Sequence, residues 1–174
     1  MNTRQRGFTL FELAVVIVIV VLLIYAALPR LSAALRDARE TAVRMNARAL
    51  QEGVMRAKAV ELIDGLGGAV YNLPNFGDGT LDMSAAGFPS GSSRSPGDRL
   101  SGRHCAEIWS AVLEPNPGDP RGATESDFVP TVRITSRGPV CIYAYRYGGM
   151  SIGYDPATGA VWADAQFKGF GLFE

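Results

Sequence analysis

Sixteen consecutive residues, Leu13 to Leu28, carry no charge and almost no polar atom. No other feature limits what this chain can fold into so strongly. Counted from Phe8, the segment is 21 residues long, and at 1.5 Å per residue a helix would run about 31 Å. That equals the hydrocarbon thickness of a bilayer, about 30 Å. An ordinary secretory signal has an apolar core of about 7–15 residues followed by a small-residue cleavage site. Here the run is longer and passes through Pro29 into a charged, helix-like pattern. It reads as a spanning helix with a short basic leader containing Arg4 and Arg6. Glu12 is the anomaly at its front. A carboxylate at the bilayer centre costs about 2.5–3.5 kcal/mol on insertion scales and less near the headgroups. Inside a protein assembly it requires a positive partner.

The remaining composition sets the other bounds. With 17 basic and 17 acidic residues in 174 the formal charge is zero, so no whole-chain field favours nucleic acid. Past Pro29, Leu31, Leu35, Ala38, Ala42, Met45 and Ala49 recur at spacings of three and four, which predicts an apolar stripe on a helix. Arg36, Glu40, Arg44, Arg48, Glu52 and Arg56 follow every fourth residue on a solvated face. One helix from about Phe8 to Ile63 is expected, kinked at Pro29, where an intrahelical donor is missing. Gly53 weakens its middle by up to about 1 kcal/mol.

The motif Arg6-Gly7-Phe8-Thr9-Leu10-Phe11-Glu12-Leu13 ahead of the apolar run resembles the class III signal of type IV pilins and pseudopilins. The resemblance implies cleavage by a prepilin peptidase after Gly7 and N-methylation of the new terminal residue, Phe8. It implies that Glu12, fifth residue of the mature chain, pairs with the N-terminal amine of a neighbouring subunit. Pro29 falls where many type IV pilins have a helix-kinking proline. An α-amino group titrates near 7.7–8.0 and is mostly cationic at neutral pH, so such a pair is physically sound. The stretch Ala27-Leu28-Pro29-Arg30-Leu31, with Leu35-Arg36-Asp37-Ala38-Arg39-Glu40-Thr41, is similar to mannose-sensitive haemagglutinin (MSHA)-type pilins, which implies an adhesive fibre.

The implied fold is α+β: a long N-terminal helix packed on a C-terminal antiparallel sheet. The expected organisation is a leader at 1–7, a membrane and fibre-core helix at 8–28, its amphipathic continuation at 29–64, and a globular head at 65–174. Within the head, 65–103 is rich in Gly, Pro and Ser and reads as a variable loop region. A short helix is expected at Glu107–Leu113. Strands are expected at Val129–Thr135, Val140–Arg146, Met150–Tyr154 and Ala160–Ala165, with Asp155–Gly159 as a hairpin turn, placing the sheet at about 129–166. In this reading Cys141, Tyr143, Tyr145 and Tyr147 share a sheet face. Cys105 and Cys141 are far apart in sequence, and export makes a disulfide between them the expected state.

Catalytic and metal chemistry find no foothold in the motifs. His104 is the sole histidine and is expected at the surface. Neither lysine, Lys58 or Lys168, follows a glycine as a phosphate-binding loop requires, and Gly65, Gly67 and Gly68 do not complete a dinucleotide fingerprint. Asn75, Asp78 and Asp82 fit no calcium-loop spacing and read as turn residues. No enzyme, cofactor or metal is expected. The resemblance implies other pilin subunits, the prepilin peptidase, an assembly ATPase and a platform protein as partners, with the membrane as host before assembly. A surface receptor would meet the head. The implied path runs from the bacterial inner membrane, leader in the cytoplasm, to an extracellular fibre. The alternatives within the same resemblance are a pseudopilin of type II secretion, acting in the periplasm, and a DNA-uptake or receptor-binding minor pilin.

Overall fold

The structure, a computed structural model, describes residues 9–92, 100–113 and 127–164. Two compact units divide the chain, Met1–Arg39 and Glu40–Glu174. Helix α1, Leu10–Ile63, contributes to both. In the second unit it is followed by β1 (Asp82–Met83), β2 (Pro89–Gly91), α2 (Gly102–Val112), β3 (Phe128–Thr135), β4 (Gly138–Tyr145), β5 (Ser151–Tyr154) and β6 (Val161–Asp164). The layout is a long helix followed by an antiparallel sheet, as a pilin fold requires. The sheet order is β3-β4-β5-β6, each strand antiparallel to its neighbour, and β1 and β2 form a separate small hairpin.

The face of α1 that enters the core is not the expected stripe. Val43, Ala47, Leu50, Val54, Ala57 and Glu61 are buried, whereas Leu31, Leu35 and Met45 are exposed. At 3.6 residues per turn the two stripes lie about a third of a turn apart. The buried stripe shares the spacings of three and four by which the sequence points to the other one, and periodicity cannot tell which of two such stripes is buried. The choice falls to the surface that α1 meets: Val112 at the end of α2, Ala86 in the β1–β2 turn, and Gly159 and Val161 at the β5–β6 turn. Gly53 is buried against the end of α2, where a β-carbon would strike the Val112 carbonyl oxygen.

α2 starts five residues before the expected Glu107 because Ser101 caps it. The Ser101 hydroxyl accepts from the His104 backbone N–H, and His104 Nδ1 accepts in return from the Ser101 N–H at 3.1 Å. His104 is therefore a buried capping residue and not a surface one. The reason is local: its ring takes the role that Glu or Gln plays in a capping box.

Behind the sheet, Trp109 is fully buried, with ring centroids 4.6 Å from Tyr143 and 4.9 Å from Phe128. Cys105 and Cys141 form a disulfide joining α2 to β4, with a Cα–Cα distance of 5.5 Å. Two phenols reach across the layers. Tyr143 donates to the Cys105 carbonyl at 2.8 Å, and Tyr154 donates to the Pro89 carbonyl at 2.8 Å. Burial pushes both hydroxyls above the usual tyrosine range, helped at Tyr154 by Tyr143 and Asp155. Lys58 ties α1 to the β1–β2 turn, pairing with buried Glu61 at 3.2 Å and donating to the Ala86 carbonyl at 3.1 Å.

The acids of the loop region hold backbone. Asp82 accepts from the Asn72 N–H, and Asp78 accepts from the Thr80 N–H and hydroxyl. The loop residues 93–99 and the prolines at 115, 117 and 120 lie outside the described residues.

Candidate assembly segment

The described part of the N-terminal unit is a single stretch of α1. Thr9 caps it: its hydroxyl accepts from the Glu12 N–H at 3.2 Å, and its carbonyl accepts from the Leu13 N–H at 3.1 Å. Thr9-Leu10-Phe11-Glu12 thus has the spacing of a capping box, a signal present in the sequence beside the processing motif. Its consequence is that Glu12 occupies the first turn, where the helix dipole favours an anion by about 0.3–1 kcal/mol. That gain is smaller than the cost of about 2.5–3.5 kcal/mol for an acid at the bilayer centre. The cap offsets part of the cost of an acid near the start of a spanning helix, and leaves a carboxylate that an apolar assembly would have to neutralise. Among the described residues no cation forms an ion pair with Glu12.

Beyond Glu12 the helix is long and apolar enough to cross a membrane, with a mean hydropathy of 3.0 over its best window, none of it covered by protein. Leu10 is 86% exposed and Phe11 78%. This is the opposite of a soluble core helix, whose apolar face is covered by its own fold. Pro29 lies inside α1, and the Ser32 hydroxyl donates to its carbonyl at 2.9 Å. Gly7 and Phe8 lie outside the described residues. Of the residues singled out in the sequence, Glu12 and Pro29 therefore fall in the N-terminal unit, while Cys105 and Cys141 meet in the core of the second.

Residues 2–28 match the model of the prokaryotic N-terminal methylation motif, the class III signal of type IV pilins. The motif supports a type IV pilin-like or pseudopilin precursor, and a structural subunit in preference to an enzyme. It implies in general terms assembly with other pilin subunits and processing by a prepilin peptidase, and with the apolar helix it fits membrane anchoring before assembly. No curated protein and no solved structure matches the chain.

Proposed function

We propose that this chain is a structural subunit, major or minor, of a type IV pilus. The leader 1–7 stays in the cytoplasm while the helix from Phe8 to Leu28 spans the inner membrane. A prepilin peptidase cuts after Gly7 and Phe8 is N-methylated, which keeps the terminal amine cationic. Polymerisation by an ATPase and a platform protein transfers the helix from lipid to a bundle of identical helices, with α1 bending at Pro29 and the sheet exposed.

The observation that carries this reading is the coincidence of the methylation motif with an apolar helical segment that is uncovered among the described residues. A second observation supports it. Beyond the membrane segment, Leu31, Leu35 and Met45 are apolar, helically spaced and exposed, which leaves these three side chains available to neighbouring copies. In the fibre Glu12 would sit in an apolar interior, where one unpaired charge costs several kcal/mol and a paired amine relieves it. The pair then sets the axial register of each incoming subunit.

Mass spectrometry of the mature N-terminus tests the processing: the chain should begin at Phe8 and be one methyl group heavier. Glu12→Ala should insert in the membrane normally and be depleted from sheared fibres. A mature chain beginning at Met1, or fibres that incorporate Glu12→Ala at wild-type levels, would refute the proposal.

A further inference from the structure

One end of the sheet carries chemistry that fibre assembly does not use. The strand register aligns Thr131, Ile142, Gly153 and Trp162 in one row across the sheet. The indole of Trp162 lies over Gly153, where any β-carbon would collide with the ring. Trp162 nevertheless remains 43% exposed. It is an aromatic platform seated on β5, unlike Trp109, which is fully buried.

Beside this platform is a hollow of about 390 Å³ walled by Ser136, Arg137, Val140, Asp155, Thr158 and Trp162. Across Arg137 lies a second hollow of about 340 Å³, walled largely by Ala85, Ala86, Pro139 and Pro156. Arg137, in the β3–β4 turn, lines both. Each volume is within the range of small-molecule sites, about 300–1,000 Å³.

The polar groups divide into those already engaged and those left over. Asp155 accepts from the Ala157 N–H and the Thr158 hydroxyl, each at 2.9 Å, which closes the β5–β6 turn. Thr135 donates to the Gly138 carbonyl at 2.8 Å. The Arg137 guanidinium, the Ser136 hydroxyl and the Trp162 N–H have no partner among the described residues. A guanidinium fork matches a carboxylate in two parallel bonds. An exposed indole face accepts the C–H face of a pyranose ring, and a hydroxyl and an N–H can satisfy sugar oxygens. Nucleic acid fits less well. Its affinity comes from neutralising several phosphates, and Arg137 is the one cation among the residues lining the two hollows.

We propose that the paired hollows on either side of Arg137 bind an acidic oligosaccharide, with one ring stacked on Trp162, its carboxylate held by Arg137, and the adjoining ring against the alanine and proline wall. The site lies wholly within the second unit and needs neither cleavage at Gly7 nor a fibre, so its failure and that of the assembly reading are told apart.

The test uses the full chain in detergent, with tetragalacturonate as probe and acrylamide quenching of tryptophan fluorescence as readout. Trp109 is inaccessible, so quenching reports Trp162. Tetragalacturonate should protect Trp162, and neutral maltotetraose should bind about tenfold or more weakly, the loss expected for a charged hydrogen-bonded contact. Arg137→Gln, at an exposed position whose guanidinium has no partner among the described residues and whose backbone bond to Thr135 is kept, should lose affinity by a similar factor with unchanged thermal stability. Gly153→Ala, which lifts the ring, should weaken both sugars. Equal binding of maltotetraose, undiminished binding by Arg137→Gln, stronger protection by an oligothymidylate, or no protection by any probe would overturn the proposal.

Discussion

Gly53→Ala is the substitution at which local and tertiary physics give opposite signs. Within a helix, alanine is favoured over glycine by about 0.8–1.0 kcal/mol, so propensity alone predicts a more stable protein. The packing predicts the reverse. A β-carbon at position 53 would strike the Val112 carbonyl oxygen and approach the Val112 β-carbon to 2.9 Å and carbonyl carbon to 3.0 Å. Two of those three atoms are backbone, so no rotamer change relieves them. The end of α2 cannot simply retreat, because Trp109, one turn before Val112, is fully buried against Phe128 and Tyr143. Overpacking of this kind costs about 1–3 kcal/mol, and the immobility of α2 places it in the upper half of that range. The net loss is about 1–2 kcal/mol. For a chain of this size it corresponds to a fall in Tm of roughly 2–8 °C. Near-ultraviolet circular dichroism melts of the full chain in detergent measure it through the buried aromatic cluster. Ala59→Gly is the companion, an exposed position in α1 where propensity acts alone and should cost up to about 1 kcal/mol. A Tm for Gly53→Ala above wild type would refute the packing argument, because it would show that α2 yields to the added methyl.

The Cys105–Cys141 bond closes a loop with a sequence separation of 36, and on the chain-entropy model it contributes roughly 3–4 kcal/mol. Replacing both cysteines with alanine should lower Tm by roughly 6–16 °C, and an unchanged melt, or two alkylatable thiols in exported wild-type protein, would count against the link. Alkaline pH should destabilise the second unit through Tyr143 and Tyr154. Their folded-state pKa values are raised, so the native state keeps protons that the unfolded state loses. Their contribution is full below the unfolded value near 10 and declines above it, by about 1.4 kcal/mol per pH unit for each group. Urea melts across that range should show the decline beginning near pH 10, and replacing both tyrosines with phenylalanine should flatten it; a profile unaffected by that replacement would refute the assignment.

The elements were legible to different degrees. α1 ends at Ile63, where the glycine cluster begins, as the sequence predicts. The four strands of the main sheet fall within two residues of their expected ends, because alternation and turn residues are local signals. The start of α2 is not legible in the sequence, since a histidine acting in a capping box has no place in the usual serine-to-glutamate pattern. In the assembly segment the processing motif and Glu12 were legible. The cap by Thr9 is written in the sequence as a four-residue pattern that overlaps the processing motif.

The amino-acid order by itself determined the apolar rod, its acid and the methylation motif at residues 2–28. These are properties of contiguous residues, and helix periodicity and transfer energies act on them without help from distant parts of the chain. Tertiary structure alone decided which of two apolar stripes on α1 is buried, why Gly53 must remain glycine, and that Trp162 lies exposed over Gly153 beside Arg137. Each depends on atoms far apart in sequence approaching within van der Waals distance, and hydrophobicity, being non-directional, cannot specify such meetings in advance.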